Sequence, residues 1–432
     1  MNHKRRDKYE RFGAEKKRLV ENFFSLSSVD FANYILPLIA FPYLVRILGP
    51  EKYGLIAFAQ AFIQYFVILT DYGFNFSATR SISMHRADHR KISMIFNSVI
   101  WAKGIFTAAS FIMLIVIIFL SSKFRADALL YFFTFGIVIG NTLFPIWFFQ
   151  GMERMKFIAA VNLLAKLIFV VAIFIFIKRQ EDYIYVPLIS SCGFITAGII
   201  SLWQVHRRFG IRFGYPDFAE VKNEMRDGWY LFVATITASI YTTGVPLLLG
   251  LMTNYKIVGF YSAGEKIVRA LENLQLRLTQ TLYPYIGKLV AQSVSSAVIF
   301  IRKLATIVGL GTLLFSVCII VFSRQIVHLI LGDSFLATTS VLSILAPLLF
   351  AKGLGHIFLI QTMMNFGDDR AVFWIVLCAA VISVVAAFIL IPILLEGGAA
   401  IAALLPEVIV LVLSGIYVTK KYHVFSIYGL SR

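Results

Sequence analysis

The chain has 432 residues, 59% of them hydrophobic and only 15% charged, with 41 phenylalanines and a mean hydropathy of +0.81. A soluble domain carries roughly 45–50% apolar and 25% charged residues, so this balance excludes a water-soluble globular protein. The formal net charge of +17 would suit nucleic acid, but its position along the chain decides against that partner.

The opening segment, MNHKRRDKYERFGAEKKRLVENFF, is too charged and runs too directly into a spanning helix for a cleavable signal peptide; it reads as a retained cytoplasmic arm. Apolar runs of about 20 residues, each able to cross roughly 30 Å of hydrocarbon, then recur down the chain. They predict spans near residues 20–47, 53–79, 92–120, 127–150, 156–178, 183–206, 229–251, 258–285, 300–322, 338–364, 372–393 and 398–420. Twelve crossings leave both termini on one side. Outside the spans, the N-terminal arm, even-numbered loops and C-terminal tail hold about 26 Lys and Arg against about 8 in the odd-numbered loops, which makes the first set cytoplasmic. The excess positive charge therefore belongs beside anionic lipid headgroups, not on nucleic acid. Cys192, Cys318 and Cys378 each stand alone in an apolar run, which indicates neither a disulfide framework nor a thiolate metal site.

The long hydrophilic stretch in the middle is HRRFGIRFGYPDFAEVKNEMRDGW, residues 206–229. It divides an all-α polytopic membrane protein into an N-terminal six-helix lobe with its basic arm (1–206), a cytoplasmic linker (207–228) and a C-terminal six-helix lobe (229–432). The halves repeat weakly. Pro42 to Gly54 at the first hairpin matches Pro246 to Gly259 at the first hairpin of the second half, and the pattern G-x-[ED]-R-x-x-F occurs as Gly151–Phe157 and Gly367–Phe373 after the fourth span of each. Matching sidedness predicts a parallel repeat, two pseudo-symmetric lobes around an axis along the membrane normal.

Ionisable groups inside spans are costly unless they face a partner or a cavity. In the eighth span Lys266, Arg269, Asn273, Arg277 and Gln280 fall within about 80° of one helical face and extend roughly 20 Å along it. Glu265 and Glu272 lie on an adjacent face, with Glu265 at i,i+4 and Glu272 at i,i+3 to Arg269. Two readings stand: mutual neutralisation inside a buried bundle, or a basic stripe lining a cavity for an anionic substrate. The second span carries a similar face of Gln60, Gln64, Asp71 and Asn75. With the hairpin glycines aligned, Gln60 corresponds to Glu265 and Gln64 to Arg269, and the stripes are expected to oppose each other across a cleft. Asp71 is either part of that face or a helix end neutralised by Arg80. Asp30, near Asn33, Pro37 and Pro42, is a titratable or cation-binding carboxylate or else a capped helix end. Lys166 and Lys352, near the middle of their spans, are cavity candidates, whereas Lys103 is expected to snorkel to the interface.

There is no GxxxxGK[ST], HExxH or CxxC, and the seven histidines are scattered, so no catalytic residues, metal or organic cofactor are expected.

The segments YILPLIAFPYLVRILGPEKYGLIAFAQAFIQYFVILTDYGFNFSATRSIS (34–83), PIWFFQGMERMKFIA (145–159) and VGFYSAGEKIVRALENLQLRLTQTLYPYIGK (258–288) resemble the Wzx-type O-antigen and polysaccharide flippases of the MOP superfamily. The resemblance covers nearly the whole chain. It implies two lobes of six helices in the bacterial inner membrane. It also implies export of undecaprenyl-diphosphate-linked oligosaccharide to the periplasmic leaflet by alternating access, alongside the polysaccharide polymerase and chain-length machinery. On that reading Lys266, Arg269 and Arg277 receive the diphosphate, since Arg offers paired donors to phosphate oxygens. The resemblance also implies a coupling ion, H+ or Na+, for which Asp30, Asp71, Glu265 and Glu272 are candidates. The alternatives are a MATE-like drug antiporter, a membrane glycosyltransferase or ligase, and a scaffold subunit of the export machinery. Short outer loops speak against the enzyme and the basic stripe against the antiporter.

Overall fold

The computed structural model describes the backbone of residues 3–280 and 282–422, and side chains from Leu36 onward except positions 37, 234, 240–242, 277, 278 and 280. Every regular element among the described residues is helical. In chain order these are α1 (His3–Asp71), α2 (Phe74–Met84), α3 (His89–Leu120), α4 (Ser122–Arg125), α5 (Ala128–Leu143), α6 (Ile146–Gly151), α7 (Met155–Phe176), α8 (Tyr185–Phe209) and α9 (Phe218–Thr242). They continue as α10 (Gly244–Met252), α11 (Tyr255–Gln280), α12 (Tyr283–Gln292), α13 (Val294–Val321), α14 (Ser323–Ile330), α15 (Thr338–Leu345), α16 (Leu348–His356), a π-helical turn (Ile357–Met364) and α17 (Asp369–Tyr422).

Among the described residues eight helices are long and apolar enough to cross a membrane, nine when the bent pair α9–α10 counts as one span. The number falls below the twelve spans expected for identifiable reasons. Two of the eight, Leu38–Met84 and Asp369–Tyr422, contain a break where the backbone leaves the helix, at Gly49 (φ 68°) and at Leu395 (φ 52°). Each is two spans run together. The eighth expected span, α11, drops out because Glu265, Lys266, Arg269 and Glu272 interrupt its apolar run.

The described residues cluster into two compact units. Unit 1 comprises Met1–Tyr43, Ile63–Lys178 and Ile184–Thr235; unit 2 comprises Leu44–Phe62, Arg179–Tyr183 and Ile236–Arg432. The first hairpin, Leu44–Phe62, thus packs with the second half of the sequence. Of the hydrophilic stretch at 206–229, only the residues between Phe209 and Phe218 are non-helical, and the rest extends α8 and α9.

Lipid offers helices no hydrophobic drive to associate, so close backbone approach does the work. In unit 1, α5 carries Gly136 and Gly140 four residues apart; a Cβ on them would lie 2.5 Å from Ser191 and 2.5 Å from Phe194 of α8. In unit 2 the two glycines matched in sequence meet each other. A Cβ on Gly54 would lie 1.8 Å from the Tyr255 carbonyl oxygen, and one on Gly259 1.9 Å from that of Pro50. Since 50 aligns with 255 as 54 aligns with 259, the contact is reciprocal, as a two-fold repeat of the hairpin makes it.

The second sequence match is in the right place but two residues out of register. α6 ends with Arg154 N–H to Phe149 O and Glu153 N–H to Gln150 O, and the π-helical turn ends with Asp368 N–H to Met363 O and Gly367 N–H to Met364 O. These are the same C-terminal capping pair, and its left-handed residue is Glu153 (φ 57°) in one half and Gly367 (φ 79°) in the other. Gly151 serves a different end: its missing side chain leaves room for Ile82, which a Cβ would approach to 2.6 Å.

Candidate substrate and ion site

The charged residues of the eighth span lie on α11, whose polar side is met in unit 2 by α16 and α17. Glu265 accepts hydrogen bonds at one oxygen from Arg269 Nε (2.9 Å) and Nη2 (2.7 Å), with Tyr261 Oη donating to it at 3.3 Å. The i,i+4 spacing read from sequence therefore makes the pair. Glu272 turns away from Arg269 to Lys352 of α16, Nζ to Oε2 3.2 Å, and the same ammonium lies 3.6 Å from Glu407 Oε1 of α17. Glu272 is 5% exposed at its side chain, whereas Arg269 is 40% exposed.

These groups line a narrow cavity of about 30 Å³, together with Val245, Leu345 and Pro406. That is room for about one water. Around it three carboxylates, Glu265, Glu272 and Glu407, face two cations, Arg269 and Lys352. One proton or one monovalent cation would balance the set, and burying an unbalanced charge is costly. Among the described residues no group of three or more His, Cys, Asp or Glu has the geometry of a metal site.

The structure distributes the remaining candidates. Lys266 and Asn273 are exposed on α11, and Gln60 and Gln64 are exposed on α1. Lys166 is half-buried on α7 and belongs to unit 1. The side chains of Asp30 and Arg277 lie outside the described residues. Asp71 belongs to unit 1 and is fully engaged: Lys103 Nζ donates at 2.7 Å, Asn141 Nδ2 at 2.9 Å and Asn75 Nδ2 at 3.2 Å. Two expectations change here. Arg80 is exposed, and Lys103, only 1% exposed, does not snorkel. Asp71 and the Asn141 carbonyl (3.2 Å) give its ammonium partners inside the bundle, which removes the reason to reach for the interface.

Glu407 is the residue that the sequence reading missed. Its signal was available: a carboxylate following Pro406 in the middle of the apolar run from Gly397 to Gly415. A second signal became visible only in three dimensions. The π-helical turn Ile357–Met364 directly follows the α16 segment that carries Lys352, and such turns cluster at functional sites.

The comparisons agree with this architecture. A family model described as polysaccharide biosynthesis protein matches residues 19–290. A protein named as an O-antigen transporter in Escherichia coli (strain K12) is 32% identical over 395 residues, 91% of this chain and 95% of the relative. Another so named in Shigella dysenteriae is 27% identical over 281 residues, 64% of this chain and 69% of the relative. The fold is similar to that of the lipid II flippase MurJ in an inward closed conformation (TM-score 0.73, 12% identity, 91% of this chain and 87% of that one). It is also similar to an inward-facing MATE family multidrug transporter of the MOP superfamily (TM-score 0.62, 14% identity, 90% and 94% covered). The chain is thus a multi-pass membrane transporter, not an enzyme, and it belongs to the polysaccharide biosynthesis protein family.

Proposed function

We propose that the protein flips undecaprenyl-diphosphate-linked oligosaccharide repeat units, of O-antigen or a related surface polysaccharide, from the cytoplasmic to the periplasmic leaflet of the bacterial inner membrane. Both termini face the cytoplasm on this reading, and the polymerase and chain-length machinery receive the product. The relatives' names support the substrate class. The observation that carries the reading is α11: a helix at membrane depth that keeps Lys266 and Asn273 exposed and Arg269 accessible is built to meet a polar, anionic group. Glu265 holds the Arg269 guanidinium in one orientation, which lowers the ordering entropy of gripping a phosphate.

Transport is ion-coupled alternating access, with H+ or Na+ as the coupling ion. Asp71 is a poor coupling group because Lys103 and two asparagine amides satisfy it. The cluster of Glu265, Glu272 and Glu407 is the better one, because it carries one more carboxylate than cation. That same excess favours the second reading, a MATE-like antiporter of lipophilic cations.

The deciding experiment reconstitutes the protein in liposomes with fluorescent polyprenyl-diphosphate-oligosaccharide and follows its leaflet with an impermeant quencher. Native protein is expected to flip the lipid under an ion gradient, and Arg269→Ala and Lys266→Ala to lower the rate at least tenfold at matched reconstitution. If native protein moves no lipid-linked sugar but extrudes a lipophilic cation, the flippase reading fails and the antiporter replaces it.

A further inference from the structure

We propose that unit 1 carries a separate binding site for a lipid phosphate headgroup, built from Arg154 and Arg208 above an aromatic floor. The two guanidiniums line a cavity of about 220 Å³ with Phe149, Phe157, Phe209 and Gln204. No carboxylate lines it, and among the described residues neither arginine has an ion-pair partner. The neighbouring Glu153 is already taken by Arg86 at 2.7 Å. Gln204, 8% exposed, sets its terminal amide against Arg208: with the amide oxygen turned toward the guanidinium it accepts from Nε at 2.7 Å and Nη1 at 3.2 Å, which fixes one of the two cations. Two positive charges held over one cavity without an acid repel each other, and an anion is what would relieve them.

A second observation points to the same chemistry. Arg154 is the N-cap of α7, a helix of 22 residues, and its own side chain makes no capping hydrogen bond. The start of a helix this long favours a phosphate through its dipole. The floor suits a lipid rather than a free anion. Phe149 packs on Phe157 at 4.6 Å between centroids, and the surface running on from the site exposes Leu164, Leu167 and Ile168 on α7 and Ile199 and Trp203 on α8. The Lys and Arg distribution assigns this end of the helices to the cytoplasmic leaflet. The equivalent turn of unit 2 lacks the site, since Asp368 there draws in Lys421. The ligand chemistry is a phosphate ester on a hydrocarbon chain, which either a bulk anionic phospholipid or the lipid-linked cargo can supply.

The test is the thermal unfolding midpoint of the purified full chain in neutral detergent, titrated with phosphatidylglycerol, phosphatidylcholine or farnesyl diphosphate. The expected result is a saturable rise with phosphatidylglycerol and none with phosphatidylcholine. The rise persists in Arg212→Gln, whose arginine is exposed elsewhere on the same side, and disappears in the Arg154→Gln/Arg208→Gln double variant. Each single variant is expected to weaken apparent affinity about tenfold, as for loss of one charged hydrogen bond, so a double variant that fails to fold leaves the singles to decide. A response to farnesyl diphosphate alone, lost in the same variants, also supports the site and identifies cargo as its source. Equal responses to both phospholipids, no response to any of the three, or a response unchanged in the arginine variants would overturn the proposal. None of these outcomes depends on flipping.

Discussion

In unit 1 the buried ammonium of Lys103 meets one carboxylate, and that carboxylate is further satisfied by two asparagine amides; in unit 2 the ammonium of Lys352 lies between two carboxylates beside a cavity. The first arrangement is balanced and closed, the second unbalanced and beside a cavity with room for about one water. On the proposed function the difference separates a pair that holds unit 1 together from a cluster that changes its occupancy, a distinction that the mere presence of a charge in a span does not make. The sharpest way to break the comparison is Lys103→Met. It leaves the half-buried carboxylate of Asp71 without its cation, and should cost about 3 kcal/mol, the lower end for a broken buried pair, while Asp71→Asn/Lys103→Met should recover most of it. Chemical or thermal denaturation of the detergent-solubilised variants measures both. A loss below about 1 kcal/mol for the single variant, as for an ordinary surface pair, would remove the structural role assigned to unit 1.

The two units also differ in how backbone meets backbone. Unit 1 brings Gly73 (φ 80°) against Gly228, where a Cβ would lie 2.7 Å from the opposing carbonyl in either direction. Unit 2 brings Gly54 against Gly259 more closely still. Gly259→Ala should therefore force the Pro50 segment away at about 1–3 kcal/mol, the usual range for overpacking. Because the contact is reciprocal, Gly54→Ala should cost a similar amount, and the double variant less than the sum, since one displacement relieves both clashes. Additive losses would mean that the two glycines do not share a contact.

The fold was legible because its cause is written in one dimension: apolar runs of bilayer length, a polar interruption at 206–229 and a Lys and Arg bias between loops. Part of the site was legible for the same reason, since Glu265 and Arg269 are helix neighbours at i,i+4. What the sequence withheld are the contacts made by packing. Glu272 has two basic options, Arg269 on its own helix and Lys352 eighty residues away, and only the approach of α16 selects the second. Lys103 looked like an interfacial residue because Asp71 and Asn141 are remote in sequence. The repeat pattern G-x-[ED]-R-x-x-F misled by two residues because a left-handed C-terminal cap tolerates glutamate as well as glycine, so Glu153 conceals the position that Gly367 advertises.

Glu407→Gln sharpens the comparison at the cluster itself. Lys352 keeps Glu272 at 3.2 Å, so the expected stability change is about 1 kcal/mol, far smaller than that of Lys103→Met. Function should respond differently: with one carboxylate removed the cluster is balanced like unit 1, and transport in liposomes should lose its dependence on the imposed ion gradient while still running down the substrate gradient. Glu272→Gln should be the more damaging of the two, because Glu272 is 5% exposed and Glu407 20%. If Glu407→Gln leaves the gradient dependence intact, the cluster of unit 2 is structural after all.

The smallest effect is expected where the repeats are braced on their basic side. Arg86 donates to the Gly151 carbonyl and pairs with Glu153 in unit 1, while in unit 2 Asp368 receives hydrogen bonds from Lys421 and Tyr422. Burial alone would raise the Asp368 carboxyl, but hydrogen bonds from Lys421, Tyr422 and Tyr417 outweigh it and hold the group below the ordinary carboxylate value. A carboxyl whose folded pKa is depressed lends stability that is complete above the unfolded value, about 4, and that is lost as the pH falls through the folded one. Unfolding midpoints of native protein and Asp368→Asn should therefore differ by a constant amount from neutral pH down to about 5 and converge below about 4. Glu153→Gln should change stability by less than about 1 kcal/mol at neutral pH, because the Glu153 side chain is 72% exposed and a solvated pair with Arg86 is screened by water and salt. A midpoint difference for Asp368→Asn that persists unchanged at the lowest pH would assign the effect to lost packing at the turn and not to the ionised carboxylate.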